Sequence, residues 1–361
     1  MLHFNISGKL LAVGALAVLL GLNSCKSTTT ATTPSSAYKE TDLVADIAGL
    51  NAPIIDPTFK NGWGISVGST GNFWLSSNHG GVTTIYDSTG ATKLAAITIP
   101  SRNGTDAGSP TGVIFNSSTD FKGYLFIYSS EDGVISGWQV SSGFKSAAKL
   151  ATDPSVDAVY KGIAMATNGA SNNLYVADFK ENKIVIYDKN FAPTTVSGNF
   201  TETGLPAIPS DFGPFGIQNV GGLLYVTYAK HKPAPDNGDD LSGLGNGYVS
   251  VFNPDGTFVK RFASNGTLNS PWGITTAPAT FGDFKNAILI SNFGDGTING
   301  YDATSGNYIG QLKDASGNVI HIDGLWGLMF TTAIHTDPNA LYFTAGPGGE
   351  NHGVFGYLKL Q

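Results

Sequence analysis

The chain has 361 residues, of which only 13% are charged and 47 are glycine, about twice the usual glycine share, and its formal net charge is −7. That balance excludes the basic footprint a nucleic-acid binder needs and offers anionic lipid no electrostatic attraction. A single cysteine excludes any intramolecular disulfide.

The first element in chain order is an apolar run, "LLAVGALAVLLGL" at 10–22, preceded by Lys9. It is too short to span a bilayer comfortably and reads as a signal-peptide core. It leads into "LNSC", which resembles the lipobox of bacterial lipoproteins. That resemblance implies cleavage before Cys25 and attachment of lipid to Cys25. Lys26 rather than Asp follows, so the common inner-membrane retention cue is missing and the outer membrane of the cell envelope is the expected location. The next stretch, "KSTTTATTPSSA", has almost no apolar content and is expected to be a flexible tether. The expected organisation is a signal peptide over 1–24, a lipidated Cys25 and tether over 25–37, and one folded domain over 38–361.

From residue 40 onward the chain repeats itself. A residue followed by Gly and an aliphatic residue opens each unit: "WGISV", "TGVIF", "KGIAM", "FGIQN", "WGITT" and "WGLMF". The glycines fall at 64, 112, 162, 216, 273 and 327, spaced by 48 to 57 residues. A second apolar run follows each ("FWLSS", "LYVADF", "LYFTAG"), then a third in strict alternation ("GVTTIYD", "KIVIYD", "GTINGYD"), bounded by Gly, Asn and Asp. Alternation with such boundaries predicts strands. A less regular fourth strand follows most units, as in "KLAAITI" and "NYIGQL". Six four-stranded units predict an all-β, six-bladed β-propeller. The sixth unit lacks its outer strand, and "ETDLVADIA" at 40–48 is expected to supply it and close the ring.

The unit "LYVADFKENKIVIYD" resembles the repeat of NHL-type propellers. The phrases "SPWGI", "NFGDGTI", "DGLWGL" and "LYFTAGP" resemble those of an uncharacterised family of exported bacterial propellers, a resemblance that bears on fold and location rather than chemistry.

In an antiparallel blade, the turn entering the first strand and the turn between the second and third strands share a face. His79, His231, His321 and His352 fall in loops of this face, and so does the one long insertion, 229–247. Loops carried on a rigid scaffold are where binding residues gather. The insertion holds two prolines and almost no large apolar side chain, which predicts a loosely packed arm over the central mouth.

Two constellations are candidates there. Asn61, Asp157, Asn269 and Asp323 precede the repeat glycines and can supply oxygen ligands to calcium or another divalent metal, or can simply cap turns. Six-bladed propeller lactonases, similar in blade count, bind metal in this way. Where their pattern opens blade 1 with Glu-Gly-Pro-Trp, this chain has "KNGWG". The second constellation is Trp63, Phe215, Trp272 and Trp326, each just before its glycine. These rings either fill the taper between innermost strands or form a collar for a planar ligand or sugar ring. With His79, His231 and His352 they make up the candidate ligand-binding set. No nucleophile motif or paired-cysteine pattern is present. The expectation is therefore a lipid-anchored module outside the cytoplasm that binds a small molecule, glycan or envelope protein. A metal-dependent hydrolase resembling the lactonases is the alternative.

Overall fold

The alternating runs fold as strands, and hydrogen bonding sorts them into six sheets. The structure is a computed structural model describing residues 1–3, 35–104 and 106–361. The chain divides into two units, 1–32 and 33–361. Only residues 1–3 of the first are described, so the expected signal peptide, Cys25 and most of the expected tether lie outside the described residues.

Each sheet is one blade of a six-bladed β-propeller. Blade 1 runs outward through Gly62–Val67, Phe73–Ser77, Val82–Tyr86 and Thr92–Thr98. Blade 2 opens with Pro110–Phe115, blade 3 with Tyr160–Asn168, blade 4 with Phe212–Val220, blade 5 with Pro271–Thr276 and blade 6 with Leu325–Met329. Three single-turn 3₁₀ segments are the only helical pieces among the described residues.

The ring closes as the short sixth repeat predicts. Tyr38–Ala45 pairs antiparallel with Val354–Leu360, with a bulge between Asp42 and Val44. The strand begins two residues earlier than expected and stops at Ala45. A two-residue strand, Ile54–Ile55, adds in parallel outside it, so blade 6 has five strands instead of four. Tyr38 is buried against Phe281 of blade 5, with ring centres 4.6 Å apart. Ser35 and Ser36, at the end of the expected tether, donate backbone N–H groups to Asp283.

The repeat glycine has a steric cause. In every blade the innermost strand bulges where that glycine sits, between Gly62 and Ile65 in blade 1 and between Leu325 and Leu328 in blade 6. A Cβ on Gly64 would lie 2.5 Å from the Thr111 carbonyl oxygen of blade 2. One on Gly162 would lie 2.7 Å from the Ile217 nitrogen of blade 4, and one on Gly327 would lie 2.8 Å from the Trp63 oxygen of blade 1. The contacts run round the ring, so neighbouring blades meet backbone to backbone, which only glycine permits.

The bulge frees backbone groups that hydroxyls of the second strand recover. Gly216 N–H donates to Thr227 Oγ1 (2.7 Å), Gly273 N–H to Ser291 Oγ (2.8 Å) and Gly327 N–H to Thr344 Oγ1 (3.1 Å). Ser291 Oγ donates onward to the Trp326 carbonyl at 2.6 Å, and Thr344 Oγ1 to that of Trp63. Ser291 and Thr344 therefore each tie two blades, while Thr227 bonds within blade 4, and each such bond contributes about 1 kcal/mol. Farther out, apolar side chains fill the seams. Between blades 1 and 2, for example, Trp74 stacks on Phe126 at 4.0 Å and tilts against Trp138.

Candidate ligand site at the propeller mouth

The residues just before the repeat glycines converge on the axis. Trp326 is sandwiched between Trp63 (ring centres 3.7 Å apart) and Phe293 (3.9 Å). Trp272 meets both tryptophans edge-on, and Phe215 tilts against Trp326 and Phe179. These rings pack against one another as a plug that fills the taper, all buried except Phe293, which is partly exposed. Trp63 and Trp326 also border the cavity above it, whereas Phe215 and Trp272 do not.

Blades 2 and 3 break the aromatic pattern. Thr111 is absorbed into the hydroxyl network, donating to the Tyr160 carbonyl and touching Ser129 Oγ. Blade 3 has Lys161, whose side chain is 3% exposed. Its Nζ lies 2.5 Å from Glu131 Oε1, 3.8 Å from Asp239 Oδ1 and 4.9 Å from the centre of the Trp63 ring. Burial alone would lower the Lys161 pKa, but Glu131, with Asp239 and Asp240, more than offsets it, so the pKa is raised. Glu131 accepts a second hydrogen bond from Asn78 Nδ2 at 3.1 Å. Burial opposes its ionisation, yet Lys161 and Asn78 hold its pKa below the usual carboxylate value.

These groups line a cavity of about 490 Å³ with His79, Lys232, Asp239, Asp240, Leu241, Ser242 and Glu350. Glu350 Oε2 accepts from Asn61 Nδ2 at 2.7 Å. Burial pushes its pKa up despite that bond, so in one cavity Glu131 is biased towards the carboxylate and Glu350 towards the acid. Asp240 is buried and is likewise pushed up by burial, against the pull of Ser270 and Lys161.

The insertion forms the wall of this cavity. It is a folded hairpin extension in which His231 bridges to Asp240, Lys232 N–H bonds the Asp239 carbonyl, and Leu241 N–H bonds the Lys230 carbonyl. Gly243 N–H donates to Asn269 Oδ1 at 2.6 Å. The loose packing expected from its composition is corrected on this point, because polar contacts rather than apolar burial hold it.

The sequence candidates separate accordingly. His79 lines the cavity. His231 packs 4.1 Å from Phe179 and binds the Asn237 carbonyl through Nδ1, with its pKa lowered chiefly by burial. His352 Nδ1 bonds Asp46 on the closing strand's side, and His321 Nδ1 meets the Asp295 carbonyl. Asn61 is buried, its Oδ1 accepting from Trp326 Nε1 at 3.2 Å. Asn269 bonds Asp295 and Gly243, Asp157 pairs with Lys180 at 2.8 Å, and Asp323 accepts from Gly348 N–H at 2.8 Å. Each oxygen candidate thus has a local partner. Among the described residues, no group of three or more His, Cys, Asp or Glu is arranged to hold a metal. Sequence reasoning missed Glu131, Glu350, Asn78 and Asp240 as site residues. The available signal was Lys161, a charge at a repeat position otherwise filled by rings or Thr111.

No protein-family profile matches the chain. An uncharacterised protein of Acanthamoeba polyphaga mimivirus is 35% identical over 316 residues, covering 80% of this chain and 72% of its own length. A second from the same virus is 34% identical over 319 residues, covering 84% and 81%. Among solved structures, virginiamycin B lyase from Staphylococcus aureus aligns with a TM-score of 0.52 at 14% identity, over 90% of this chain and all of that one. A protein of unknown function from Bacteroides thetaiotaomicron aligns with a TM-score of 0.56 at 11% identity, over 90% and 76%. At these identities the structural likeness speaks to the fold alone.

Proposed function

The chain belongs to the family of those two mimivirus proteins, and from that premise we propose that it is a ligand-binding propeller acting through the cavity at its mouth. One observation carries the reading. At the position where four blades place an aromatic ring, blade 3 buries the Lys161 ammonium, and a loop of blade 2 supplies Glu131 to neutralise it. A buried ion pair costs desolvation that a well-packed ring does not, so stability alone does not account for its placement. Departures from a repeat's own rule gather at functional sites. The "LNSC" motif supports delivery to the cell envelope through lipid on Cys25 rather than through electrostatic attraction.

The test is a thermal-shift screen of the full-length chain against a metabolite library, repeated with the Lys161→Met/Glu131→Gln double variant. Ligands that stabilise the wild type and not the variant place binding in the mouth; stabilisation unchanged in the variant refutes it. Radiolabelled palmitate incorporation, lost in Cys25→Ser, checks the anchor.

A second reading, an enzyme using the same cavity, has one observation in its favour. Glu131 and Glu350 are pushed in opposite directions, as acid–base pairs are. The solved lyase carries no weight here beyond the fold.

A further inference from the structure

The mouth is tied to the strand that closes the ring. We propose that Asp46 and His352 are positioning residues for Glu350, so that the segment closing the propeller also sets the carboxyl at its mouth. The inference rests on the binding reading above, and its test needs no ligand.

Glu350 breaks the local rule of its own turn. Gly348, Gly349 and Glu350 follow one another at φ of 69°, 66° and 69°, all in the left-handed region. Glycine meets that conformation at little cost, whereas a glutamate there is strained. Its hydrogen-bond partner Asn61 is left-handed as well, at φ 51°. Strain of this kind persists only where surrounding contacts enforce it, and it gathers at functional sites.

The enforcing contacts come from several elements. Within the turn, Glu350 N–H donates to the Gly346 carbonyl (3.0 Å) and His352 N–H to that of Pro347 (3.1 Å). From blade 1, Asn61 meets the turn twice. Its N–H donates to the His352 carbonyl at 2.9 Å, and its Nδ2 to Glu350 Oε2 at 2.7 Å. At the entrance to blade 6, Asp323 accepts from Gly348 N–H at 2.8 Å.

The closing strand supplies the last hold through Asp46, the residue after Ala45, which is 3% exposed. Asp46 spends both carboxyl oxygens on this turn, accepting from His352 Nδ1 and from Gly353 N–H, each at 3.1 Å. A buried carboxylate is costly without such donors, so these bonds keep strand and turn together. His352 is only two residues from Glu350. Release at His352 lets the left-handed run relax and moves the Glu350 carboxyl off Asn61 and towards water.

The experiment is a carboxyl ¹³C NMR titration of the full-length chain in detergent micelles, labelled at glutamate. The chain has only five glutamates, and Glu350→Gln assigns the signal by removing it. Glu131, Lys161 and His79 act on Glu350 across the cavity, whose other charged lining groups are Lys232, Asp239 and Asp240, and the variants leave all of these in place. In the wild type, burial is the largest influence on Glu350 and should put its midpoint above the ordinary 4.5. His352→Ala should lower that midpoint by about half a pH unit or more as water reaches the carboxyl. The sign separates the causes, because loss of a nearby imidazolium by itself raises a carboxyl's midpoint. Asp46→Asn should lower the midpoint too, and adding His352→Ala to it should bring no further fall, since both break one link. His352→Gln, with the same fall expected, serves if His352→Ala unfolds. A midpoint unchanged or raised in the folded histidine variant overturns the proposal. So does a Glu131 signal that moves as far as that of Glu350, which marks a general loosening of the ring. Binding is judged separately by the screen on Lys161 and Glu131, so either idea can fail while the other stands.

Discussion

Replacing Glu131 with Gln should cost the fold about 3 kcal/mol, because it leaves the buried Lys161 ammonium without its counter-charge. The structure sets where in the usual range of about 3–5 kcal/mol the loss falls. Lys161 is 3% exposed, so water cannot replace the lost carboxylate. Asp239 stays 3.8 Å away, but at 58% exposure it is well screened and offsets only part. The new amide can still accept one hydrogen bond, which favours the lower end. Adding Lys161→Met removes the stranded charge, and the double variant should return to within about 1 kcal/mol of wild type. Equilibrium urea unfolding of all four proteins, with unchanged m-values, gives the cycle. The pH dependence has a definite sign. Glu131's pKa is lowered on folding, so its contribution is present above its ordinary 4.5 and is lost as pH falls through the lower folded value. Lys161's pKa is raised, so its contribution is complete below its ordinary 10.5 and is lost as pH rises through the folded value. The penalty should thus be flat near neutrality and vanish in acid. A Glu131→Gln protein within about 0.5 kcal/mol of wild type at pH 7 would refute the claim that Lys161 depends on this carboxylate.

Three further outcomes follow from the ring and its closure. Glu40 on the closing strand has its pKa raised to about 7, first by burial and then by the neighbouring Asp42. A carboxyl whose pKa rises on folding opposes folding once it must ionise, so Glu40→Gln should stabilise at pH 8 and be neutral at pH 4. Protein crowds the Glu40 carboxyl, but much of the side chain still reaches solvent, so the gain after screening is about 1 kcal/mol, read by urea midpoints at the two pH values. Deleting residues 38–50 strips the outer strands from blade 6 and uncovers the edge of Val354–Leu360, so the cooperative urea transition should be lost or moved to far lower urea; an unchanged midpoint would mean that the ring does not need its closure. Gly216→Ala would drive a methyl into the Trp272 carbonyl of the next blade and should cost roughly 1–3 kcal/mol by the same assay, while Gly221→Ala, with nothing near it but a positive φ, reports the backbone term alone.

The blades were legible because they rest on local rules repeated six times. Alternation marks each strand, Gly and Asx residues mark its ends, and the repeat glycine recurs wherever two innermost strands touch. Even the closure was legible, since a missing fourth strand at one end and a spare strand at the other leave one solution. The site was not legible in the same way. Glu131 and Glu350 sit in polar turns, where an acidic residue usually faces water, and nothing along the chain separates them from Asp132 or Asn351. They acquire a role only because the ring brings the loops of blades 2 and 6 over Lys161 of blade 3. The insertion was misjudged for a related reason, because its anchoring contacts, a hydrogen bond to Asn269 and ring packing on Phe179, reach residues far away in sequence. Sequence alone determined the architecture, since period and pattern are properties of neighbours along the chain. Tertiary structure alone decided which charges lose their water and which partners they meet, because burial and Coulomb energy depend on distance in space, and a closed ring makes residues 61 and 350 neighbours.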